Sequence, residues 1–471
     1  MRASKLIAEY QVLILAAGKG TRFKSALPKV LHKVSGITLL ERVVKAVSVS
    51  NLSTQAKTRT VVVKGLGANQ IEAELVSLRD KYLNLELSSV VQTEQKGTGD
   101  AVRVSIGTLG LERVLILPGD CPLLTAKSIN EILVADKGAD LSVISCEPPS
   151  PFGYGRIIKN SAGSLVKIIE EKDASSEEKL MREINSSLYL GSVDFIKEAI
   201  SSLKPNNAQG ELYFTDCVSY GVEKSKQVDA IKLTNWLDLA GANTRAELAE
   251  LEKESRSRIN LSVMQGGATL ENPLNTFIDE DIEIGSDVYL GSGTRLYGKT
   301  KISNNVRIDG DTLIVDSIIG EGTHVKFGSM IEVSEVGQKC AIGPFAHLRP
   351  KSKLANDVHI GNFVETKASN IGPGSKANHL SYIGDSEVGS GVNIGAGTIT
   401  CNYDGVSKHK TTILDGASIG SNSSLVAPVT IGQGAYTAAG SVITKDVPAN
   451  SLAVGNKQKI IPDWVSLKRR K

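Results

Sequence analysis

Two sets of residues in this sequence have types and spacings that could do chemistry. The first is Leu15-Ala16-Ala17-Gly18-Lys19-Gly20-Thr21-Arg22, followed a little further on by Pro28-Lys29. It fits neither G-x-G-x-x-G nor G-x-x-x-x-G-K-[ST], so the dinucleotide and P-loop mechanisms find no support. Glycine and alanine still let backbone N–H groups approach a triphosphate closely, and Lys19, Arg22 and Lys29 offer it three cations. Alone, the same loop also reads as a plain strand-to-helix turn. The second set lies near the other end of the chain, in Gly343–Pro350, Asn362–Lys367, Asn378–Tyr382 and Asn393–Gly405. Arg349, Glu365, Lys367, His379, Tyr382 and Asn402 recur there at similar intervals (349 to 367, 367 to 382, 382 to 402), where the local repeat would accept any soluble side chain.

The elements that must carry these residues change period along the chain. Up to about residue 244 short apolar runs alternate with helical patterns: Val12–Leu15 then Leu39–Val49, Thr60–Val63 then Ile71–Leu78, Val114–Leu117 then Ile129–Leu133, and Leu141–Ser145. Such alternation predicts a mostly parallel, doubly wound α/β sheet of Rossmann-like form, with ligands at the carboxyl ends of its strands. From Arg245 to about Met264 the chain is rich in Glu, Lys, Arg, Ala and Leu and has no glycine, which predicts a connecting helix. A period of six follows. Ile284, Leu290, Leu296, Ile302 and Ile308 form one register, Val336, Ile342, Leu348, Leu354 and Ile360 a second, and Ile413, Ile419, Leu425, Ile431 and Ile443 a third, with Thr437 filling the gap. An aliphatic at every sixth position fits neither helix nor simple strand; it is the hexapeptide repeat of a parallel β-helix. The breaks near 366–371 and 400–411 predict bulges or an extruded loop. Three hexapeptides make one coil, and the intervals within the second polar set are close to that length, so its members should gather on one side. The expected organisation is 1–244, a helical linker 245–264, and 265–471.

Whole-chain properties bound the rest. At 471 residues and 41% hydrophobic content each half can bury a core. A net charge of +3 gives no overall field for nucleic acid or membrane. The basic end Lys468–Lys471 reads either as a solvated tail or as help with a polyanionic ligand. The five cysteines, at 121, 146, 217, 340 and 401, lack any C-x-x-C pair and suggest neither a disulfide framework nor zinc. Val12–Ala17 is too short for a signal peptide core and runs directly into the glycine loop. The expected setting is cytoplasmic.

Leu15–Arg22 with Leu27-Pro28-Lys29 resembles the signature of sugar-phosphate nucleotidyltransferases, Leu117-Pro118-Gly119-Asp120 their metal-binding strand end, and Gln92–Gly99 the uracil segment of the uridylyltransferases. Together with the hexapeptide half, the chain resembles, over nearly its whole length, the bacterial bifunctional N-acetylglucosamine-1-phosphate uridylyltransferases/glucosamine-1-phosphate acetyltransferases. The resemblance implies a left-handed β-helix, UTP and acetyl-CoA as co-substrates, Mg²⁺ on Asp120 and Asn243, and a homotrimer. It places Leu15, Ala16, Ala17, Gly18, Lys29, Pro118 and Gly119 at the nucleotide, with Lys29 and Arg22 offsetting the charge of the two anions. Gln92, Gly97 and Thr98 would contact uracil or ribose; Gly155, Glu170, Asn185 and Thr215 would surround the acetylamino sugar. In the acetyltransferase, Arg349 and Lys367 would bind the sugar phosphate, Tyr382 and Asn393 the sugar, and Ala396, Asn402, Tyr403, Ser421 and Ala439 acetyl-CoA. His379 matches the general base, Glu365 would orient it, and Asn402 would stabilise the oxyanion. Where such proteins carry an arginine reaching the cofactor's phosphates this chain has Asn456, which puts cofactor binding at that edge in doubt. Two other readings compete: a single-activity nucleotidyltransferase with an assembly β-helix, and a regulatory subunit without chemistry. The His379 cluster counts against the first, and intact Arg22, Lys29 and Asp120 against the second.

Overall fold

The computed structural model describes residues 9–53, 57–205, 210–455, 460 and 462. It divides into two compact units, 1–255 and 256–471. In the first unit the strands are β1 (Tyr10–Ala16), β2 (Thr58–Lys64), β3 (Leu85–Val91), β4 (Arg113–Pro118), β5 (Leu141–Cys146), β6 (Arg156–Lys159), β7 (Leu165–Ile169), β8 (Ile184–Ser192) and β9 (Val228–Lys232). The helices are α1 (Leu39–Ser48), α2 (Ala68–Lys81), α3 (Thr98–Ser105), α4 (Ala126–Ala135), α5 (Val193–Ser202) and α6 (Asp216–Glu223). The helix expected from Arg245 onward is α7 (Arg245–Gln265).

The sheet runs β9-β5-β8-β4-β1-β2-β3, with β6 and β7 as an appended ribbon. β1 pairs in parallel with both β2 and β4. Its Val12, Leu13 and Ile14 are completely buried, as a central strand covered on both faces requires. Successive side chains feed opposite cores: Val12 and Ile14 join Leu40, Val43 and Ile129 of α1 and α4, while Leu13 joins Val102 and Ile196 of α3 and α5. The chain winds outward from β1 through β2 and β3 and returns to β4, so the β1/β4 pair is the topological switch point, where ligands collect. Five strands, β3 and β6 to β9, lay outside the sequence expectation, and two of them have a plain reason. β8 runs antiparallel between β4 and β5 with a register shift between Asn185 and Leu188, and β3 is an edge strand that alternates buried Leu85 and Leu87 with exposed Glu86.

On α2, Glu72 accepts from Lys64 of β2, from Arg79 Nη1 at 2.8 Å and from Ser89 Oγ of β3 at 2.9 Å. The Lys64 ammonium is the main cause that brings its carboxyl down from 4.5 to about 2. A depressed carboxyl contributes stability that is complete above its unfolded value and is lost as pH falls through its folded value. Glu72→Gln should therefore lower the urea midpoint at pH 6 and lower it far less at pH 2. An equal loss at both would assign Glu72 to packing alone.

The second unit is built from three stacks of short parallel strands, 11, 10 and 9 in number. Hexapeptide aliphatics enter the stacks in rotation: Leu290 pairs with Ile308 in the first, Leu296 with Ile314 in the second, and Ile302 with Ile319 in the third. This is the left-handed β-helix form expected from the repeat. Of the fifteen register positions, fourteen are buried and Ile284 is half-buried, and Thr437 is buried in its gap. The breaks are changes of coil length. Leu354 pairs with Ile371, and Ile371 with Val388, in coils one position short of three hexapeptides, whereas the coil from Val388 to its partner Ile413 is longer by more than a hexapeptide. That long coil extrudes a loop after Asn402. At most corners a left-handed backbone falls to Gly, Asp or Asn, as at Gly322, Asp311, Asp357 and Asn422. Beside the second polar set it falls instead to Phe345, Phe363 and Leu380, with φ of 54°, 57° and 45°. Bulky residues rarely take such angles, and they concentrate at functional sites.

Candidate active sites

In the first unit the chemistry-bearing residues lie at the carboxyl ends of β1 and β4. Ala16 and Ala17 are buried, and Gly18 opens the loop with free space where a side chain would stand. Gly20 has φ +57°, and a Cβ there would lie 3.0 Å from Lys29 Cβ, so this glycine lets the loop close on Lys29. Buried Phe23 anchors the following turn and leaves Arg22 exposed. Gly119 N donates to Leu15 O at 2.9 Å, tying the two strand ends together. Asp120 then meets Lys29 in an ion pair, and Asn243 Oδ1 faces the same ammonium at 3.4 Å. A carboxylate and an amide oxygen thus converge on one cationic point. They are hard oxygen donors of the kind Mg²⁺ takes, completing its octahedron with phosphate and water.

The expected uracil and sugar residues are fastened to one another. Gln92 is buried, and its Nε2 donates to Asp100 Oδ2 at 2.7 Å and Gly97 O at 3.2 Å. A Cβ on Gly97, at φ +104°, would stand 2.4 Å from Leu212 O. Leu212 N donates to Lys96 O, and Phe214 N to Thr98 Oγ1 at 3.1 Å, which brings the uracil segment against Thr215. Thr215 Oγ1 reaches Glu170 Oε1 at 3.5 Å, and a side chain on Gly155 would stand 3.4 Å from the same carboxylate. Asn185 joins through its N–H to Gly155 O at 2.9 Å, its side chain bonding Tyr189 Oη. Burial pushes the Glu170 carboxyl above its ordinary value, with Asp173 and Asp216 adding to it. Glu170 is therefore no solvated loop residue.

In the second unit strand pairing sets the geometry. Asn362 pairs with His379, and the registers Lys376↔Asn393, Asn393↔Ser418 and Ser418↔Tyr436 carry the same corner position to Ala396, Ser421 and Ala439. These residues form one line, in which His379 and Ala439 are three coils, or ~14 Å, apart at the usual strand spacing. Asn393 is exposed on the adjoining face, just before Ala396. On the second stack Glu365 pairs with Tyr382, and Arg349 Nη1 donates to Glu365 Oε1 at 2.6 Å. Lys367 stands by Lys408 of the extruded loop and by Arg349, and these two cations hold its ammonium below the ordinary value. Three positive groups at one point make a receptor for a phosphate dianion. Within the loop Asp404 accepts from Ser407 N, Val406 N and His409 Nε2, each within 2.8 Å, and the Ser407 N–H is the first cause of its depressed pKa. Tyr403 is exposed, its hydroxyl bonded to Gly405 O.

The model of the MobA-like NTP transferase domain matches residues 12–258. Over 462 residues the chain is 46% identical to the bifunctional protein GlmU of Streptococcus thermophilus, covering 97% of each. It is likewise 46% identical to that of Streptococcus mutans over 461 residues, 97% of each. With that of Carboxydothermus hydrogenoformans it shares 43% identity over 450 residues, 95% of this chain and 98% of the relative. The chain belongs to the GlmU family. It is a bifunctional enzyme, a glucosamine-1-phosphate acetyltransferase and an N-acetylglucosamine-1-phosphate uridylyltransferase, and its co-substrates are acetyl-CoA and UTP.

Two role assignments for this GlmU-family chain change with the geometry. Glu365 was expected to orient His379, but its carboxylate is engaged with Arg349, and the imidazole's hydrogen bond is to Asn362 Oδ1 at 3.1 Å. The reason is register: Glu365 lies opposite Tyr382, in a different stack from His379. Asn402 was expected to stabilise the oxyanion. Its side chain is buried, and Nδ2 donates to Asp385 Oδ2 at 2.5 Å and Tyr382 Oη at 3.4 Å, so both amide hydrogens are committed. Asp385 and Lys408 are site neighbours that sequence reasoning missed, and Asn362, within the second polar set, was given no role there. Coil spacing signals them only when the shortened coils and the long one are counted at their own lengths. Asn456, Lys457, Lys459 and the basic tail lie outside the described residues.

Proposed function

We propose that the first unit performs uridylyl transfer and the second acetyl transfer, acetylation coming first. One observation carries this reading: each set of residues closes on itself within a single unit, from Leu15 to Asn243 in one and from Arg349 to Ala439 in the other. In the first, a sugar-1-phosphate oxygen attacks the α-phosphorus of UTP in line and pyrophosphate leaves, with no covalent nucleophile. Lys29 and Arg22 reduce the repulsion between the anions, the segment from Gln92 to Thr98 takes uracil and ribose, and the Gly155, Glu170, Asn185 and Thr215 group takes the acetylamino sugar. Asp120 and Asn243 would hold Mg²⁺, which would offset charge on the phosphates. In the second, Arg349, Lys367 and Lys408 seat the sugar phosphate with Tyr382 and Asn393 at the ring. His379 takes the proton of the amine as it attacks the thioester carbonyl. Acetyl-CoA lies along the line of Ala396, Ser421 and Ala439, whose small side chains leave room for an extended thiol arm.

The β-helix has three flat faces, and one of them suits threefold closure into a homotrimer, since closed cyclic symmetry is the common outcome for soluble assemblies. The family resemblance supports a cytoplasmic setting; among the described residues no helix is long and apolar enough to cross a membrane. Both the division of labour and the assembly are checked on one preparation. Light scattering should give three times the mass of one chain. EDTA should stop pyrophosphate release and leave acetyl transfer intact, with Mg²⁺ restoring the first. A monomer refutes the assembly; equal loss of both activities refutes the division.

A further inference from the structure

We infer that Asn362 is a positioning residue for acetyl transfer: its side-chain oxygen accepts the Nδ1–H of His379 and so keeps Nε2 unprotonated and available to the substrate amine. This deepens the reading of His379 as general base and rests on it. The two side chains are held together by the coil. Strands His359–Asn362 and Lys376–His379 pair in register, with Asn362 opposite His379. They approach so closely that a Cβ on Gly361 would lie 1.9 Å from Asn378 O. Each residue is followed at once by a left-handed corner, Phe363 at φ 57° and Leu380 at φ 45°, and Leu380 N donates to Asn362 O at 3.1 Å. Asn362 and His379 therefore leave the coil at equivalent points, and the ring nitrogen and the amide oxygen stand 3.1 Å apart. An amide oxygen only accepts, so this bond requires the proton on Nδ1. In neutral imidazole the other nitrogen then carries the lone pair, and the partner of one nitrogen decides the state of the other. The partner is a neutral amide, so it sets the tautomer without placing a charge beside the ring. Glu365 is meanwhile engaged with Arg349.

The test compares full-length wild type, Asn362→Leu, Asn362→Asp and His379→Ala, with the thermal unfolding of the β-helix followed by circular dichroism as the measure of folding. Asn362→Leu should lower kcat for acetyl transfer roughly 10- to 100-fold, a part of the whole acid–base effect, with KM for glucosamine-1-phosphate nearly unchanged. Asn362→Asp should restore most of kcat at alkaline pH and move the acid limb of the profile to higher pH, because a carboxylate favours the imidazolium. The ¹⁵N shifts of His379 in the wild type should show the Nδ1–H tautomer. Asn362→Leu with kcat within about twofold of wild type, Asn362→Asp no better than Asn362→Leu, or an Nε2–H tautomer would each overturn the proposal. Full activity in His379→Ala would instead overturn the reading beneath it, whatever the Asn362 variants do.

Discussion

His379→Ala is expected to lower acetyl transfer by roughly 10²- to 10⁴-fold, about 3 to 5 kcal/mol of transition-state stabilisation, while uridylyl transfer keeps its wild-type rate. The substrate amine is largely protonated at neutral pH and cannot attack a thioester until it gives up a proton. Imidazole, the side chain that ordinarily changes charge near neutrality, is the group suited to take it. Binding should change little, because the proposed phosphate site is Arg349, Lys367 and Lys408, whereas the imidazole's hydrogen bond is to Asn362. The loss therefore belongs in kcat, not in KM. Acetylation at more than about a third of the wild-type rate across the pH range would make His379 structural and require another base.

The second large effect falls on the other reaction. Lys29→Ala is expected to cost roughly 10²- to 10³-fold in pyrophosphate release, the usual consequence of removing one preorganised charge from a transition state. Asp120→Ala should cost more, because Asp120 both holds Lys29 and supplies the carboxylate oxygen at the proposed Mg²⁺ site. Acetyl transfer should stay near normal in both variants. Asp120→Asn separates the two contributions: an amide oxygen can still ligate weakly but offers Lys29 no charge, so its activity should lie between wild type and alanine. Loss of both activities in a folded Lys29 or Asp120 variant would contradict the assignment of the two reactions to separate units.

The fold was legible where period and burial coincide. Val12–Leu15 reads as a central strand because both of its faces are covered, and the sixth-residue aliphatics of each of the three registers read as solenoid core because each coil points one aliphatic inward per side. β3 and β8 were not legible. β3 alternates as an edge strand against a background of continuous apolar runs, and the antiparallel β8 interrupts the strand–helix rhythm that predicted a parallel sheet. Among site residues the motif lysine, aspartate and histidine were readable by type. The partners of His379 and Asn402 were not, because partnership depends on register. A strict hexapeptide count makes every coil equal, yet the coils near the site are either one position short or longer by more than a whole hexapeptide. One missing residue per coil moves Asn362 opposite His379 and Asp385 beside Asn402, and leaves Glu365 to Arg349.

The central claim is that one chain carries two independent sites, with a freely released N-acetylglucosamine-1-phosphate between them. It is tested most directly by mass spectrometry of the sugar nucleotide made from glucosamine-1-phosphate, acetyl-CoA, UTP and Mg²⁺ by His379→Ala, by Asp120→Ala, and by the two mixed. Each variant alone should yield almost no UDP-N-acetylglucosamine, the first for want of the acetylated sugar and the second for want of uridylyl transfer. The mixture should yield it readily. A mixture as silent as its parts, or a sugar nucleotide lacking the acetyl group as the wild-type product, would contradict the account.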